Sequence, residues 1–234
     1  MPNSKQLKSE LGKLANKKQA VILAGFFKTG PGQYGEGDIF LGLKSAQIKQ
    51  IGQKFFNINF ADVQKLLNSK IHEERMAALR ILVLKYNKAK DDKIKKQIIN
   101  FYLRNTKNVN NWDLVDMSCQ NILGNYLLDK SRYVLYKLAK SKNLWEKRIS
   151  IISTLAFIRE KQFSDTLKIA EILLNDKHDL IHKAVGWMLR EAGKRDQSVL
   201  RRFLDKHYKI MPRTMLRYAI EKLDEKKRMF YLSK

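Results

Sequence analysis

Cysteine is nearly absent from the chain, with Cys119 its only thiol. One thiol excludes a disulfide framework and a cysteine-based zinc site, and Cys119 reads as a small apolar residue. Proline and glycine are scarce too, at 3 and 11 of 234 residues, so little in the chain interrupts helices. No apolar run approaches the ~20 residues that span a bilayer. The stretch from Met1 to Lys18 is polar and lysine-rich, without the apolar core of a signal peptide, which leads us to expect a cytoplasmic protein. The shortage of acids says most: 23 Asp and Glu stand against 47 Lys and Arg, a net charge of +24.

Hydrophobic residues at 44 % and charged residues at 30 % are ordinary for a folded chain with a core. A charge excess of this size repels itself in a compact fold, and an anionic partner offsets it. Nucleic acid leads, because neutralising phosphates releases condensed counterions. An acidic membrane surface comes second. A protein-interaction scaffold, a common role for helical repeats, fits the charge less well.

Helical spacing runs through the sequence, and nothing alternates with the period of a strand. Leu7, Leu11 and Leu14, then Val21, Ile22 and Phe26, predict two short helices or one bent one between Ser4 and Phe27. Further helices are expected at Ser45–Phe56, Phe60–Leu67, His72–Tyr86, Asp91–Arg104, Ser131–Leu138, Leu144–Ile158, Ser164–Leu174, His178–Ala192, Gln197–His207 and Pro212–Leu223. Connections are short, so residues 1–234 read as a single domain. The glycine-rich run from Lys28 to Asp38 must be a loop. Glu36 and Asp38 argue against a phosphate cradle, as does the absence of a Gly-Lys-Ser/Thr ending. A structured turn that brings Tyr34 to a surface is the better reading.

The helices repeat. Segments beginning at Arg75, Asp113, Arg148 and Lys183 align, separated by 38, 35 and 35 residues, and each falls in the second helix of a pair. This period marks an α-solenoid of HEAT-like helix pairs. The expected fold is all-α, a curved body with a basic concave groove, and Trp112, Asp116, Arg148 and Trp187 would line that groove. In Asn110-Asn111-Trp112-Asp113-Leu114-Val115-Asp116, Trp112 and Asp116 stand four apart on one helix face. The pair suits a cation meeting a carboxylate. It equally reads as a core tryptophan beside a capping or solvated acid. His178 and His182 are also four apart, but no third ligand completes a metal site. Trp145, at a helix start among apolar neighbours, reads as core.

Several motifs occur in a fixed order: Phe26-Phe27-Lys28-Thr29-Gly30 with Tyr34-Gly35-Glu36-Gly37-Asp38; Phe40-Leu41-Gly42; Asn111-Trp112-Asp113-Leu114-Val115-Asp116; Leu144-Trp145-Glu146-Lys147-Arg148 with Ile151-Ile152-Ser153-Thr154; and Lys183-Ala184-Val185-Gly186-Trp187-Met188-Leu189-Arg190. Together they resemble the AlkD-type DNA alkylation repair glycosylases, built from HEAT-like repeats, over nearly the whole chain. The resemblance implies excision of N3- and N7-alkylated purines, such as 3-methyladenine and 7-methylguanine, from double-stranded DNA in base excision repair, without metal or cofactor. It makes Asp116, and not Asp113, the catalytic carboxylate. Trp112 and Trp187 would be aromatic walls and Arg148 a phosphate contact, with Tyr34 and Arg190 near DNA. One stretch departs: after Phe-Leu-Gly the family usually has a small polar residue and a proline, where this chain has Lys44-Ser45-Ala46. That helix start probes the duplex in the family, so Lys44 and Ser45 are expected at DNA.

For the chemistry, alkylation makes the purine a cationic leaving group, and positive charge moves onto the deoxyribose as the glycosidic bond lengthens. An ionised Asp116 would stabilise that charge or position water, while the tryptophan faces cradle the cationic nucleoside. No lysine stands out as a Schiff-base nucleophile, so we expect a monofunctional glycosylase acting as a monomer. Lys183, Arg190, Arg213 and Arg217 are expected to meet phosphates without reading sequence. The alternative is a non-catalytic HEAT-like solenoid that binds DNA or structured RNA.

Overall fold

The structure, a computed structural model, describes residues 2–233. The regular structure of the described residues is helical, with no strand among them. Two compact units divide the chain, Met1–Ser118 and Cys119–Lys234.

In the first unit α1 (Ser4–Lys13) and α2 (Lys17–Phe26) are separate helices. Each starts at an asparagine, Asn3 or Asn16, whose side chain accepts from a backbone N–H in the first turn. After the glycine-rich loop come α3 (Ser45–Lys54), α4 (Phe60–Leu67), α5 (His72–Lys88), α6 (Asp92–Arg104) and α7 (Trp112–Cys119). Leu7 and Leu11 of α1 are fully buried with Val63 and Leu66 of α4 and Leu79 and Leu82 of α5. The hydroxyl of Ser4 donates to Asp62 at 2.7 Å across this packing. Between α6 and α7 the buried Tyr102 and Ser118 hydroxyls are 3.0 Å apart.

The unit boundary falls within α7, which runs on into one π-helical turn, Gln120–Gly124. The second unit contains α8 (Tyr133–Ala139), α9 (Leu144–Ser153), α10 (Leu155–Arg159), α11 (Ser164–Ile172), α12 (Asp179–Arg195), α13 (Gln197–His207), α14 (Arg213–Ile220) and α15 (Glu225–Leu232). Its centre is α12, packed against α9, α13 and, most extensively, α14. Gly186 allows the closest approach there. A Cβ added to it would sit 2.5 Å from the Met215 carbonyl oxygen.

The sequence repeat has a structural counterpart. Arg75, Asp113, Arg148 and Lys183 fall in α5, α7, α9 and α12, each the second member of a helix pair (α4/α5, α6/α7, α8/α9, α11/α12), as in a helical solenoid. Two local features differ from expectation. The helix predicted over Leu144–Ile158 is divided at Thr154. Ser150, Ser153 and Thr154 each turn a hydroxyl back onto a preceding carbonyl, at 2.6, 2.7 and 2.7 Å, a habit that bends helices. The final helix α15 was hidden in a charged run. Asp224 caps it, and its buried Tyr231 donates to Asp205 at 2.7 Å.

Candidate functional site

Three of the sequence motifs meet in the first unit around a cavity of about 340 Å³. Its walls include Phe26, Phe27, Phe40, Trp112 and Met117, and its polar lining includes His72, Arg80 and Asp113. The glycine-rich loop approaches from one side. Gln33 Oε1 accepts from Gly30 N and Glu36 Oε2 from Gly32 N, so the loop is a folded turn and not a phosphate cradle. The Ile39–Ile71 bridge then ties the loop to the start of α5.

At that start four consecutive ionisable residues, His72, Glu73, Glu74 and Arg75, are buried. Each has a specific partner. Glu73 accepts the backbone N–H groups of Leu41, Gly42 and Leu43 at 3.0, 2.8 and 3.2 Å. Glu74 pairs with Lys8 at 2.7 Å. Arg75 donates to Asp38 at 2.6 Å and to the Ser69 carbonyl at 2.9 Å. His72, only 3 % exposed, lies between two carboxylates, with Nδ1 3.0 Å from Asp38 and Nε2 2.9 Å from Asp113. Asn111, fully buried ahead of α7, donates to Asp38 and accepts the N–H of Trp112.

Burial pulls the His72 imidazole down, but the hydrogen bonds to Asp113 and Asp38 outweigh it and raise the pKa to about 9. Burial pushes the Asp38 carboxyl up, and His72 and Arg75 reverse this and hold it below its ordinary value. His72 is therefore an imidazolium and Asp38 a carboxylate at neutral pH. Its aromatic side is a stack. The His72 ring lies 4.6 Å from Phe40, Phe40 is 5.1 Å from Phe27, and Phe27 is 5.3 Å from Trp112, with interplanar angles of 23°, 15° and 21°. Phe26, 62 % exposed, meets Trp112 in a T-shaped contact with ring centroids 6.0 Å apart.

α7 itself is two-faced. Leu114, Val115, Ser118 and Cys119 are fully buried, whereas Trp112, Asp113, Asp116 and Met117 are partly accessible. Of the two acids, Asp113 is engaged through both oxygens, one with His72 and the other with the N–H of Leu114. Asp116 sits one turn further along the accessible face.

The other candidates are placed as follows. The Tyr34 hydroxyl points to the Phe26 carbonyl at 3.4 Å. Lys44 and Ser45 are exposed at the start of α3, with the Ser45 hydroxyl accepting from Arg80 at 2.6 Å. In the second unit Arg148 is 5 % exposed and donates to the Leu180 carbonyl at 2.6 Å, joining α9 to α12. Trp187 is partly exposed on α12 between buried Gly186 and Met188. Lys183 pairs with Asp179 at 2.7 Å, Arg190 pairs with Glu221, and Arg213 donates to the Leu232 carbonyl at 2.8 Å. Trp145 is buried, as its sequence setting suggests. His178 caps α12 by accepting from Leu180 N. Among the described residues no cluster of His, Cys, Asp and Glu is arranged to hold a metal ion, and no helix is long and apolar enough to cross a membrane. Sequence reasoning missed the role of His72 and Asp38. Asp38 ends a recognisable motif, but its partner lies 34 residues away in a histidine with no distinguishing context.

The chain matches the DNA alkylation repair enzyme family over residues 7–223. It belongs to that family, and its role is in the repair of alkylated DNA. A solved structure described as a predicted DNA alkylation repair enzyme from Enterococcus faecalis is similar in fold, with a TM-score of 0.69 at 12 % identity, over 90 % of this chain and 97 % of that one. No curated protein sequence matches.

Proposed function

We propose that the protein is a monofunctional DNA glycosylase that excises N3- and N7-alkylated purines from duplex DNA, with Asp116 as its catalytic carboxylate. The observation that carries this reading is the accessible face of α7, where a partly exposed tryptophan and a carboxylate stand one turn apart in a chain of the alkylation repair family. Trp112 offers a ring face to a cationic nucleoside, an interaction worth ~0.5–2 kcal/mol. Asp116 supplies negative charge to the deoxyribose as the leaving base departs, or orients the attacking water. The family motif assigns the role to the second acid, Asp116, while Asp113 holds His72 and the N–H of Leu114. From the family motif, Trp187 is assigned a second aromatic contact and Arg148 a phosphate contact. Lys44, Ser45, Tyr34, Lys183, Arg190 and Arg213 are assigned to the DNA backbone.

The competing reading is a member of the family that binds DNA without cutting it. A pure phosphate binder gains nothing from an accessible carboxylate, which repels the backbone. Asp116→Asn is therefore expected to abolish release of 7-methylguanine from methylated duplex DNA in single-turnover assays, with affinity for the duplex equal or higher. Wild-type protein that binds methylated duplex yet releases no alkylbase would establish the binding-only reading instead.

A further inference from the structure

We propose that His72 is the positioning residue of the α7 site: its imidazolium, bridging Asp38 and Asp113 and stacked on Phe40, fixes the first turn of α7 and the ring of Trp112. Both ring nitrogens face a carboxylate oxygen, at 3.0 and 2.9 Å. A neutral imidazole has one N–H and one lone pair. It would satisfy one carboxylate and set its lone pair against the other, in a site 3 % exposed. Between two carboxylates the geometry therefore favours the doubly protonated ring, in agreement with the direction in which the two acids shift it.

Two routes lead from this ring to Trp112. The first is Asp113, the neighbour of Trp112 in the opening turn of α7, held from outside its own helix by His72. The second is the stack His72–Phe40–Phe27–Trp112, whose rings are within 23° of parallel at each step. Phe40 faces a cation, which strengthens its contact through the ring quadrupole. The charged groups around the imidazole are Asp38 from the glycine-rich loop, Asp113 from α7, and Glu73, Arg75 and Arg80 from α5 itself. Glu73 is turned toward the backbone of residues 41–43, and Arg75 toward Asp38. Deprotonating His72 leaves Asp38 with Arg75 and Asn111 as partners. Asp113 keeps the N–H of Leu114 and the electrostatic attraction of Arg80 but weakens its hydrogen bond to His72, so the α7 arm is the one loosened. His72 bears on the function proposed above because it rests on Trp112 lining the reacting site, but the coupling of His72 to Trp112 is measurable without catalysis.

The test uses the full chain. In protein labelled with ¹⁵N at histidine, the imidazole signals absent from His72→Gln should show both nitrogens protonated at neutral pH and titrate near pH 9. In protein labelled with 5-fluorotryptophan, the ¹⁹F resonance missing from Trp112→Phe should move with the same midpoint. It should be insensitive to pH in His72→Gln, and its shift should be reduced in Asp113→Asn, which keeps the ring and the aromatic stack and weakens the α7 arm. A His72 ring that is neutral at pH 7, or a Trp112 resonance that stays fixed while His72 loses its proton, would overturn the proposal. In single-turnover release of 7-methylguanine, His72→Gln should be slower by about 10- to 100-fold, with duplex affinity within about twofold of wild type. Absence of release in the wild type would sink the glycosylase reading and leave the two spectroscopic titrations to decide the role of His72.

Discussion

A histidine clasped between two carboxylates links folding to pH in a definite direction. The folded pKa of His72, about 9, lies above the ordinary 6.5, so its stabilisation is fully present below about pH 6.5 and is lost as pH rises through about 9. Asp38 runs the other way. Its folded value is depressed, so its contribution is present above the ordinary carboxylate range and lost as pH falls. The expected outcome is an unfolding free energy that declines by up to roughly 3 kcal/mol between about pH 6 and pH 10, with that part of the decline missing in His72→Gln. Chemical unfolding of the two proteins across this range measures it. Identical slopes would mean that the clasp loses nothing when the proton leaves. None of this was readable in the sequence. Asp38, His72 and Asp113 are separated by 34 and 41 residues, and an isolated histidine at a helix start gives no sign of which acids the fold will bring to it. Asp113 shows the same limit, since its sequence position suggests a helix-start acid and only its contact with His72 gives it a further role.

At the level of elements, the stretch 40–43 shows how a short motif holds three helices. The Asn16 N–H at the head of α2 donates to the Leu41 carbonyl at 2.8 Å, while Glu73 from α5 collects the N–H groups of residues 41–43, and α3 begins two residues later. Gly42 is fitted to this crossing. Its φ is +88°, and a Cβ there would lie 2.2 Å from the Asn16 oxygen and 2.6 Å from Ala20 N. Gly42→Ala should destabilise the protein by more than about 3 kcal/mol, because both contacts are backbone and the φ is strained besides. Gly37→Ala, also at positive φ but facing open space, should cost only about 1 kcal/mol. Equal effects in a denaturation assay would show that the crossing has room to shift. Helix positions were legible because their causes are local. Asn59 and Asp91 cap α4 and α6, and the apolar spacing of residues 60–67 and 197–207 gives α4 and α13 the bounds expected from it. The division at Thr154 and the π turn at Gln120–Gly124 were not legible, since each depends on close packing. Ser153 bends back on its own helix, and a Cβ on Gly124 would come within 2.4 Å of the Ser153 carbonyl oxygen.

For the whole molecule the governing quantity is the net charge of +24 in a protein whose family acts on DNA. Many of the acids present are already occupied by bases of the same chain, as in Glu10 with Lys13 and Lys54, Glu171 with Lys206, and Glu191 with Lys194 and Arg195. Such exposed pairs stabilise by only ~0–1 kcal/mol each, and their partners exchange readily for phosphates. The excess of bases over acids leaves a positive field for a polyanion to meet. Binding to duplex DNA should therefore be dominated by counterion release, with log affinity falling linearly in log salt at a slope near −0.9 per phosphate neutralised. If about 6–10 phosphates are engaged, affinity falls roughly 10³- to 10⁵-fold between about 50 and 200 mM salt. Asp116→Asn should leave that slope unchanged, because it removes a carboxylate and adds no phosphate contact, whereas neutralising Lys44 or Arg213 should lower it by about one each if they touch the backbone. Fluorescence anisotropy with a methylated and an unmethylated duplex over this salt range reads all four slopes. A flat response would mean that the charge serves some other anion, and an unchanged slope on neutralising Lys44 would place the start of α3 away from the DNA backbone.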